Sequence, residues 1–293
     1  MNGRRQATLK LTVSMLLFGT IGVFVRHIPL QSSLIALVRA VVGMLFLLVV
    51  IALKRYPISI TAVRKNFLWL IISGICLGFN WIFLFESYRY TSVAVSTLCY
   101  YMAPILVILV SPLVLKEAIT VRKLLCVIAA ICGMICISGV LRSGLPDAGE
   151  LQGILLGIAA AVLYATIILC NKKLSDIGAY DRTLIQLGIS AVVMLPYCAA
   201  TYAPADAGLT LVPVLLLLVI GIVHTGVTYY LYFGSMEQLS GQSVAVISYI
   251  DPLVAVLVSA TVLREPFKLT DGLGTLLILG AALISELPAR GKK

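Results

Sequence analysis

Residues 85–117 read FESYRYTSVAVSTLCYYMAPILVILVSPLVLKE, and residues 233–265 read FGSMEQLSGQSVAVISYIDPLVAVLVSATVLRE. A shift of 148 positions aligns the two segments without a gap. Residues of the same type then coincide at aromatic, proline and acidic positions, namely Phe85 with Phe233, Tyr101 with Tyr249, Pro104 with Pro252 and Glu117 with Glu265. Because shared hydrophobicity alone does not align these residue types, the alignment indicates an internal repeat.

The repeat covers nearly the whole chain. Upstream, with a small change of offset, residues 17–21 (LFGTI) resemble residues 163–167 (LYATI). We therefore divide the chain into a first repeat at 1–145, with helices 1–5, and a second repeat at 146–293, with helices 6–10. An odd number of membrane crossings in each repeat makes the two copies enter the membrane from opposite sides. Inverted repeats of this kind are a recurrent architecture of secondary transporters.

The composition is that of a membrane protein. Of the 293 residues, 61% are hydrophobic and only 12% are charged, and the mean hydropathy is +1.08. A membrane-spanning helix needs about 20 mostly apolar residues. Ten such runs are predicted, at 8–25, 32–53, 67–87, 92–115, 121–140, 151–171, 182–202, 210–232, 242–263 and 271–287. The predicted fold class is an all-α membrane protein with ten transmembrane helices, arranged as two inverted five-helix repeats.

The formal net charge of +10 is spread over the loops, which argues against a nucleic-acid partner. Most Lys and Arg residues fall on one set of alternating loops, whereas the other set carries only Arg26, Arg89, Arg142, Arg264 and Lys268. The positive-inside rule then predicts a multi-pass membrane protein with both termini in the cytoplasm. The expected partners are the lipid bilayer and a small-molecule substrate, with the chain as a monomer or a homodimer.

Each repeat carries short motifs that follow one another in a fixed order. They are Tyr90–Ala94, Ala103-Pro104 and Leu115–Glu117 in the first repeat, and Gly241–Ser243, Asp251-Pro252 and Leu263–Glu265 in the second. With these motifs the chain resembles, over essentially its full length, the EamA-type members of the drug/metabolite transporter superfamily. The resemblance implies a ten-helix basket whose central cavity is lined chiefly by helices 1, 3, 4, 6, 8 and 9. It also implies a location in a bacterial inner membrane and a small-metabolite substrate, without naming that substrate.

Asp251 is the strongest candidate for an ionisable centre of transport. It lies about nine residues into helix 9, near the predicted bilayer midplane, where a carboxylate cannot reach water by extending its side chain. Intramembrane acids usually mark ion or substrate pathways. His224 reaches a comparable depth on helix 8 and is readily protonated near physiological pH, so we expect it to be a neighbour of Asp251. The alternative is a structural hydrogen bond from Asp251 to another helix.

Polar and aromatic residues at repeat-related positions are further candidates for substrate binding or proton coupling. On helices 4 and 9 these are Ser96, Tyr100, Tyr101, Ser248 and Tyr249, and on helices 3 and 8 they are Asn80, Trp81, Thr228 and Tyr229. The alternative for the second set is hydrogen bonding between helices. Pro104 and Pro252 lie near the middle of helices 4 and 9, where each removes a backbone hydrogen bond, so we expect kinks there. The kinks serve either packing or gating.

Three charged residues are left out of the predicted site. Arg39 lies about a turn and a half into helix 2, and we interpret its long side chain as snorkelling to the membrane interface. Glu117 and Glu265 end helices 4 and 9 beside Lys116 and Arg264. We assign both glutamates to capping and ion pairing at the surface.

No motif argues for an enzyme. Neither His27 nor His224 has a serine and a carboxylate at a recognisable spacing, and a GxxxxGK[ST] phosphate loop is absent. Cys132 and Cys136 share a helix face without further ligands, so no metal or cofactor is expected. We predict a secondary transporter that exports small metabolites such as amino acids, by proton exchange. The alternatives are a membrane-embedded enzyme and a lipid or solute flippase without gradient coupling.

Overall fold

The structure is a computed structural model that describes residues 2–114, 120–137, 147–201, 210–236, 239 and 247–286. Every regular element in these ranges is helical. In chain order the elements are α1 (Asn2–Arg26), α2 (Ser32–Lys54), α3 (Ile60–Lys65), α4 (Phe67–Tyr90), α5 (Val93–Tyr100), α6 (Ala103–Val114), α7 (Val121–Ile137), α8 (Ala148–Lys173), α9 (Ala179–Thr201), α10 (Leu211–Val219), a π-helix (Ile220–Val227), α11 (Thr228–Met236), α12 (Ile250–Thr261) and α13 (Leu269–Glu286). Within these described ranges, seven helical stretches are long and apolar enough to cross a membrane, and two shorter apolar helices accompany them. The chain is a multi-pass membrane protein.

The helices follow the predicted segments, with differences at a few places. The short helix α3 lies in a stretch predicted as a loop, and the Ser59 hydroxyl caps it by accepting a hydrogen bond of 3.3 Å from the Ala62 amide. Predicted helix 4 is divided into α5 and α6, and predicted helix 8 is divided into α10, the π-helix and α11. Residues 115, 138–140, 202, 242–246 and 287 of the predicted helices lie outside the described residues.

Two buried cores hold the bundle together, and each mixes helices of both repeats. The first core packs α1, α2 and α4 against α9 and α10, around Ile35, Leu47, Phe85, Leu187 and Met194. The second core packs α5, α6 and α7 against α8 and α13, around Leu98, Ile105, Ile137 and Ile278. Large apolar side chains such as Leu53 and Leu269 are exposed on the outer surface, which suits contact with lipid tails. The two sequence repeats are therefore interleaved in the fold.

Two glycines allow close helix contacts that set the positions of cavity residues. A Cβ atom at Gly19 of α1 would lie 2.6 Å from the backbone oxygen of Asp251, at the start of α12. A Cβ atom at Gly43 of α2 would collide with the side chain of Thr225 in the π-helix. Small residues at helix interfaces permit such close backbone approach in membranes. As a result, α1 and α2 rest directly on the second-repeat elements that carry Asp251 and Thr225.

A polar connection joins the end of α3 to the loop between α8 and α9. The Asn66 side chain, which is 3% exposed, donates to the carbonyl oxygens of Ala62 (2.8 Å) and Ser175 (2.7 Å) and accepts from the Ser175 amide (3.0 Å). Beside it, the exposed Lys65 ammonium lies 2.7 Å from the Asp176 carboxylate and lowers the pKa of that carboxyl. These contacts link the two repeats at one side of the bundle.

Replacing Asn66 by alanine is expected to lower the free energy of unfolding by about 1–3 kcal/mol. The change removes the side chain that hydrogen-bonds both the amide and the carbonyl of Ser175. Thermal unfolding of the purified protein in detergent measures the change. Lys65→Ala is the matched control, since an exposed ion pair contributes little to stability. Equal losses of Tm in the two variants would contradict the structural role of Asn66.

Candidate functional site

A cavity with a volume of about 240 Å³ lies between the helices and is lined by both repeats. Its wall is largely aromatic, formed by Phe18, Trp81, Tyr88, Tyr100, Tyr101, Tyr164, Tyr229 and Tyr232. Among the described residues, the charged side chains in the wall are Arg39, Arg182 and Asp251. The wall includes the predicted helices 1, 3, 4, 6, 8 and 9, and it also includes helix 2 through Arg39 and helix 7 through Arg182. An apolar wall with a few polar groups is the usual form of a small-molecule site.

Asp251 lies in the first turn of α12 and lines the cavity. Its carboxylate accepts a hydrogen bond of 2.6 Å from the hydroxyl of Tyr101, which occupies the break between α5 and α6. The bond joins matching regions of the two repeats, because Tyr249, two residues before Asp251, is the repeat equivalent of Tyr101. A carboxylate that faces a cavity within the membrane is able to bind a proton or a cationic group.

Pro104 and Pro252 lie in the first turns of α6 and α12. α5 ends at Tyr100, a turn follows at Tyr101 and Met102, and α6 then begins at Ala103. Proline is tolerated in the first turn of a helix because its missing N–H has no intrahelical acceptor there. Each proline thus stands at a helix start, and the irregular backbone lies just before it. That backbone carries Tyr101 and Tyr249.

The predicted snorkelling of Arg39 is wrong. Arg39 is only 4% exposed and lines the cavity. Its guanidinium lies over the ring of Trp81, 4.1 Å from the ring centroid, and 5.7 Å from that of Phe85. Its Nε donates a hydrogen bond of 2.8 Å to the hydroxyl of Thr225. Stacking and hydrogen bonding therefore hold a positive charge in a fixed orientation in the cavity wall.

The hydroxyl that holds Arg39 belongs to the π-helix Ile220–Val227. The wider turn is visible in two threonine hydroxyls, which donate to the carbonyl five residues earlier: Thr225 to Ile220 (3.1 Å) and Thr228 to Val223 (2.7 Å). A π-helix shifts the register of the side chains that follow it and is frequent at functional sites. Here it directs Thr225 towards α2.

His224 is buried beside the cavity and is not part of its wall. Its Nε2 lies 3.0 Å from the Thr20 hydroxyl, and its ring packs edge-on against Phe24 with 4.6 Å between the ring centroids. His224 interacts electrostatically with Arg39, whereas Asp251 is hydrogen-bonded to Tyr101. A functional link between His224 and Asp251 stays a prediction.

Stacked aromatic rings form much of the cavity wall. The rings of Tyr100 on α5 and Tyr164 on α8 are stacked, with 4.9 Å between centroids and 21° between planes. Tyr229 on α11 meets Phe18 on α1 edge-on, with 5.6 Å between centroids. Both pairs join a first-repeat helix to a second-repeat helix. They give a bound molecule flat apolar surfaces with hydroxyl groups at their edges.

The predicted site residues divide into two groups. Those that line the cavity are Trp81, Tyr100, Tyr101, Tyr229, Ser248 and Asp251. Those that lie outside its wall are Asn80, Ser96, His224, Thr228 and Tyr249. Asn80 instead donates a hydrogen bond of 2.6 Å to the carbonyl of Ala160, and Ser96 accepts one of 2.7 Å from Ser87. Asn80 and Ser96 therefore form hydrogen bonds between the helices that carry the cavity-lining residues.

Glu265 joins three elements at one end of the cavity. Its carboxylate accepts hydrogen bonds from the Val93 amide (2.9 Å) and from the Ser259 hydroxyl, and it lies 3.6 Å from the Arg26 guanidinium. Arg26 also donates to the carbonyl of Thr91, at 3.3 Å. The glutamate thus caps α5 through the Val93 amide and forms an ion pair with Arg26. Val93 and Arg26 both belong to the first repeat. The contacts tie the end of α12 to the end of α1 and the start of α5.

The opposite end of the cavity lies near the end of α8. Gly153, near the start of α8, packs against Thr91, so Asn171 near its other end lies at the far side of the bundle. Asn171, Arg182 and Gln186 line the cavity there. Gln186 donates a hydrogen bond of 2.8 Å to the Asn171 side chain. Glu117, the repeat equivalent of Glu265, lies outside the described residues.

A helical membrane protein whose two repeats enclose an aromatic cavity has the form of a small-molecule transporter. The family model of the EamA-like transporters matches the chain twice, over residues 7–139 and 151–286. The protein therefore belongs to the EamA-like transporter family. This match confirms the resemblance and the two-repeat fold predicted from the sequence.

Curated relatives are similar over most of their length. The chain is 29% identical to the uncharacterized transporter YxxF of Bacillus subtilis, over 98% of this chain and 91% of the relative. It is 26% identical to an uncharacterized transporter of Archaeoglobus fulgidus, over 96% of both chains. It is 23% identical to the uncharacterized inner membrane transporter YicL of Salmonella typhimurium, over 99% of this chain and 98% of the relative.

A solved crystal structure shares the fold. It superposes with a TM-score of 0.65 at 17% identity, and the alignment covers 95% of this chain and 96% of the other. The likeness therefore extends over both repeats.

Proposed function

We propose that the protein is a secondary transporter that exports a small metabolite such as an amino acid in exchange for protons. The observation that carries the proposal is a cavity of about 240 Å³ whose wall, among the described residues, contains one carboxylate, that of Asp251, held by Tyr101. A cavity of this size admits a molecule with few non-hydrogen atoms. Family membership supports transport, and the aromatic wall supports a substrate with an apolar part.

Asp251 provides a means of coupling transport to protons. A single carboxylate binds either a proton or a cationic group of the substrate, and each displaces the other. Entry of a proton from the periplasm would release the substrate there, and loss of that proton to the cytoplasm would restore the binding site. This competition drives export without ATP, using only the proton gradient.

Alternating access follows from the inverted repeats that the sequence predicts, since two oppositely oriented halves exchange roles to open the site to either side. In the predicted topology, the Glu265 contacts with Arg26 and Val93 lie at the periplasmic end. We assign them the role of a periplasmic latch, meaning a set of contacts that holds that end of the cavity closed. The latch must break before the substrate leaves.

Transport in proteoliposomes tests the proposal. Vesicles that contain the purified protein and an imposed pH gradient should accumulate labelled amino acids against their concentration gradient, and a protonophore should abolish the accumulation. Empty vesicles and vesicles with Asp251→Asn serve as controls. Absence of movement for a panel of amino acids, polyamines, nucleosides and organic cations, with hydrolysis of a solute instead, would refute a transporter.

The predicted orientation has its own test. A reporter fused after Lys293 should be active only as a cytoplasmic reporter, because Lys and Arg are concentrated on the loops assigned to that side. A second reporter inserted after Arg89 should report the periplasm. Periplasmic activity of the fusion after Lys293 would overturn the orientation, and the periplasmic placement of Glu265 with it.

A further inference from the structure

Arg39 is a buried positive charge that lacks an ion-pair partner among the described residues. No carboxylate of the described chain lies within 4.0 Å of its guanidinium, although it is only 4% exposed. Asp251 interacts with it electrostatically from a greater distance and is hydrogen-bonded to Tyr101. Removing a charge from water costs several kcal/mol unless a partner compensates for it. The cavity is the place from which an anionic partner can reach Arg39.

The guanidinium has donors left for such a partner. Among the described residues only its Nε has a hydrogen-bond acceptor, which is the Thr225 hydroxyl. The two terminal nitrogens, with their N–H groups in a planar fork, fit the two oxygens of a carboxylate. Trp81 stacks on the guanidinium, so the plane of the fork is fixed before a ligand arrives.

We propose that Arg39 is the anion-binding group of the cavity and holds the carboxylate of the transported molecule. The inference rests on the proposed function, and it adds the substrate class: a small zwitterion or monocarboxylate. Arg39 takes the negative end, and Asp251 takes the positive end where the substrate has one. The aromatic rings of the wall contact the part between them.

The charges of the cavity favour a carboxylate over a phosphate. Arg39 and Asp251 carry opposite charges in the same wall, so the pair is close to neutral together and a dianion would be repelled by Asp251. The remaining cationic group of the wall, Arg182, lies at the end near Asn171. A molecule with one negative charge therefore suits the inner part of the cavity. This molecule is either a monocarboxylate or a zwitterion that also carries an ammonium group.

Ligand-induced stabilisation tests the proposal without measuring transport. The melting temperature of the detergent-purified full-length protein is measured with each of the common L-amino acids, with the corresponding amino-acid amides, and with inorganic phosphate. The acids that bind should raise Tm saturably, because a ligand of the native state stabilises it. Their amides, which lack the carboxylate, and inorganic phosphate should have no effect.

Variants then assign the effect to one residue. Arg39→Gln should raise the Kd of the stabilising acids at least tenfold, and Arg39→Lys should give a smaller rise because it keeps the charge but loses the fork. Arg89→Gln, which changes an exposed arginine outside the cavity wall, should leave Kd within about twofold of wild type. Without ligand, Arg39→Gln should melt close to wild type, because it removes a buried charge that has no ion pair within 4.0 Å among the described residues.

The outcomes separate this proposal from the proposed function. Amides that stabilise wild type as well as acids do, or acids whose Kd is unchanged in Arg39→Gln, would overturn the role of Arg39. If Arg39→Gln fails to fold, the comparison of acids with amides on the wild-type protein still tests whether binding requires the carboxylate. Amines that bind and are transported in proteoliposomes while no acid binds would refute the carboxylate site and leave the transporter standing.

Discussion

A protein carrying Asp251→Asn is expected to fold, to reach the membrane and to lose proton-driven transport. Asparagine has nearly the same shape, and its amide oxygen can still accept the hydrogen bond from Tyr101. Asparagine cannot bind or release a proton between pH 5 and 8. No group at this position then carries the proton that is exchanged for substrate. Accumulation in proteoliposomes with a pH gradient should fall to the level of empty vesicles.

Residual movement through the Asp251→Asn protein should be downhill and independent of pH. The matched control is Asp181→Asn, which changes a carboxylate that is more deeply buried than that of Asp251 and lies outside the cavity wall, where it accepts a hydrogen bond from the Ser59 amide. Its transport should keep the pH dependence of wild type. An Asp251→Asn protein that is well expressed and accumulates substrate with an unchanged pH profile would end the assignment of Asp251.

His224 provides a further test of the proton pathway. It lies behind the wall with Thr20, and its interaction with the cavity runs through Arg39. If His224 is part of the coupling, His224→Ala should shift the pH profile of accumulation while substrate Kd stays nearly constant. A change of Kd without a shift in the profile would make His224 a positioning residue for the neighbouring Thr225 and Arg39.

The sequence predicted the architecture well because the membrane constrains it strongly. A spanning segment must satisfy its own backbone hydrogen bonds, so long apolar runs become helices. The repeat was visible because Tyr101, Pro104 and their equivalents Tyr249 and Pro252 mark irregular backbone, which hydrophobic patterning does not produce. Helix breaks were harder to place. The sequence predicts kinks at Pro104 and Pro252, and in the structure each proline lies in the first turn of a helix, just after the turn that carries the tyrosine.

The cavity was predicted less completely, because a one-dimensional pattern does not show which face of a helix turns inward. Arg39 is the clearest case. Its depth from the outer end of helix 2 allowed snorkelling, and only the positions of Trp81 and Thr225 show that the side chain turns inward instead. Two signals were nevertheless present: a lone arginine within a span is costly, and intramembrane charges usually face a bundle interior.

The register change at the π-helix could not be predicted from composition. Residues 220–227 read IGIVHTGV, which carries no proline and fits an ordinary apolar helix. At this π-helix, Gly43 and Gly221 allow α2 and the π-helix to approach closely. That approach brings Thr225 to Arg39. Tertiary contacts thus decide the position of the group on which anion binding depends.

Glu265→Ala is expected to open the periplasmic end of the cavity. The change removes the acceptor of the Val93 amide and of the Ser259 hydroxyl and breaks the ion pair with Arg26. Leaving buried donors without partners costs about 1–3 kcal/mol, which would shift the balance between closed and open states about tenfold or more. Glu265→Gln keeps the hydrogen-bond acceptor and loses only the ion pair, so its shift should be smaller.

Chemical labelling from outside the cell measures this opening. In a background whose seven native cysteines are replaced by alanine, Ser248→Cys places one thiol in the cavity wall. An impermeant maleimide should label it several-fold faster when Glu265→Ala is added.

Arg89→Ala is the control for this labelling. Arg89 forms an exposed ion pair with Glu86 near the end of α4, on the side of the membrane that is predicted to be periplasmic. Arg26→Ala should accelerate labelling as well, and it should add little to Glu265→Ala if both residues act in one latch. Labelling rates that stay at the wild-type value in Glu265→Ala would show that this cluster stabilises the fold without controlling access.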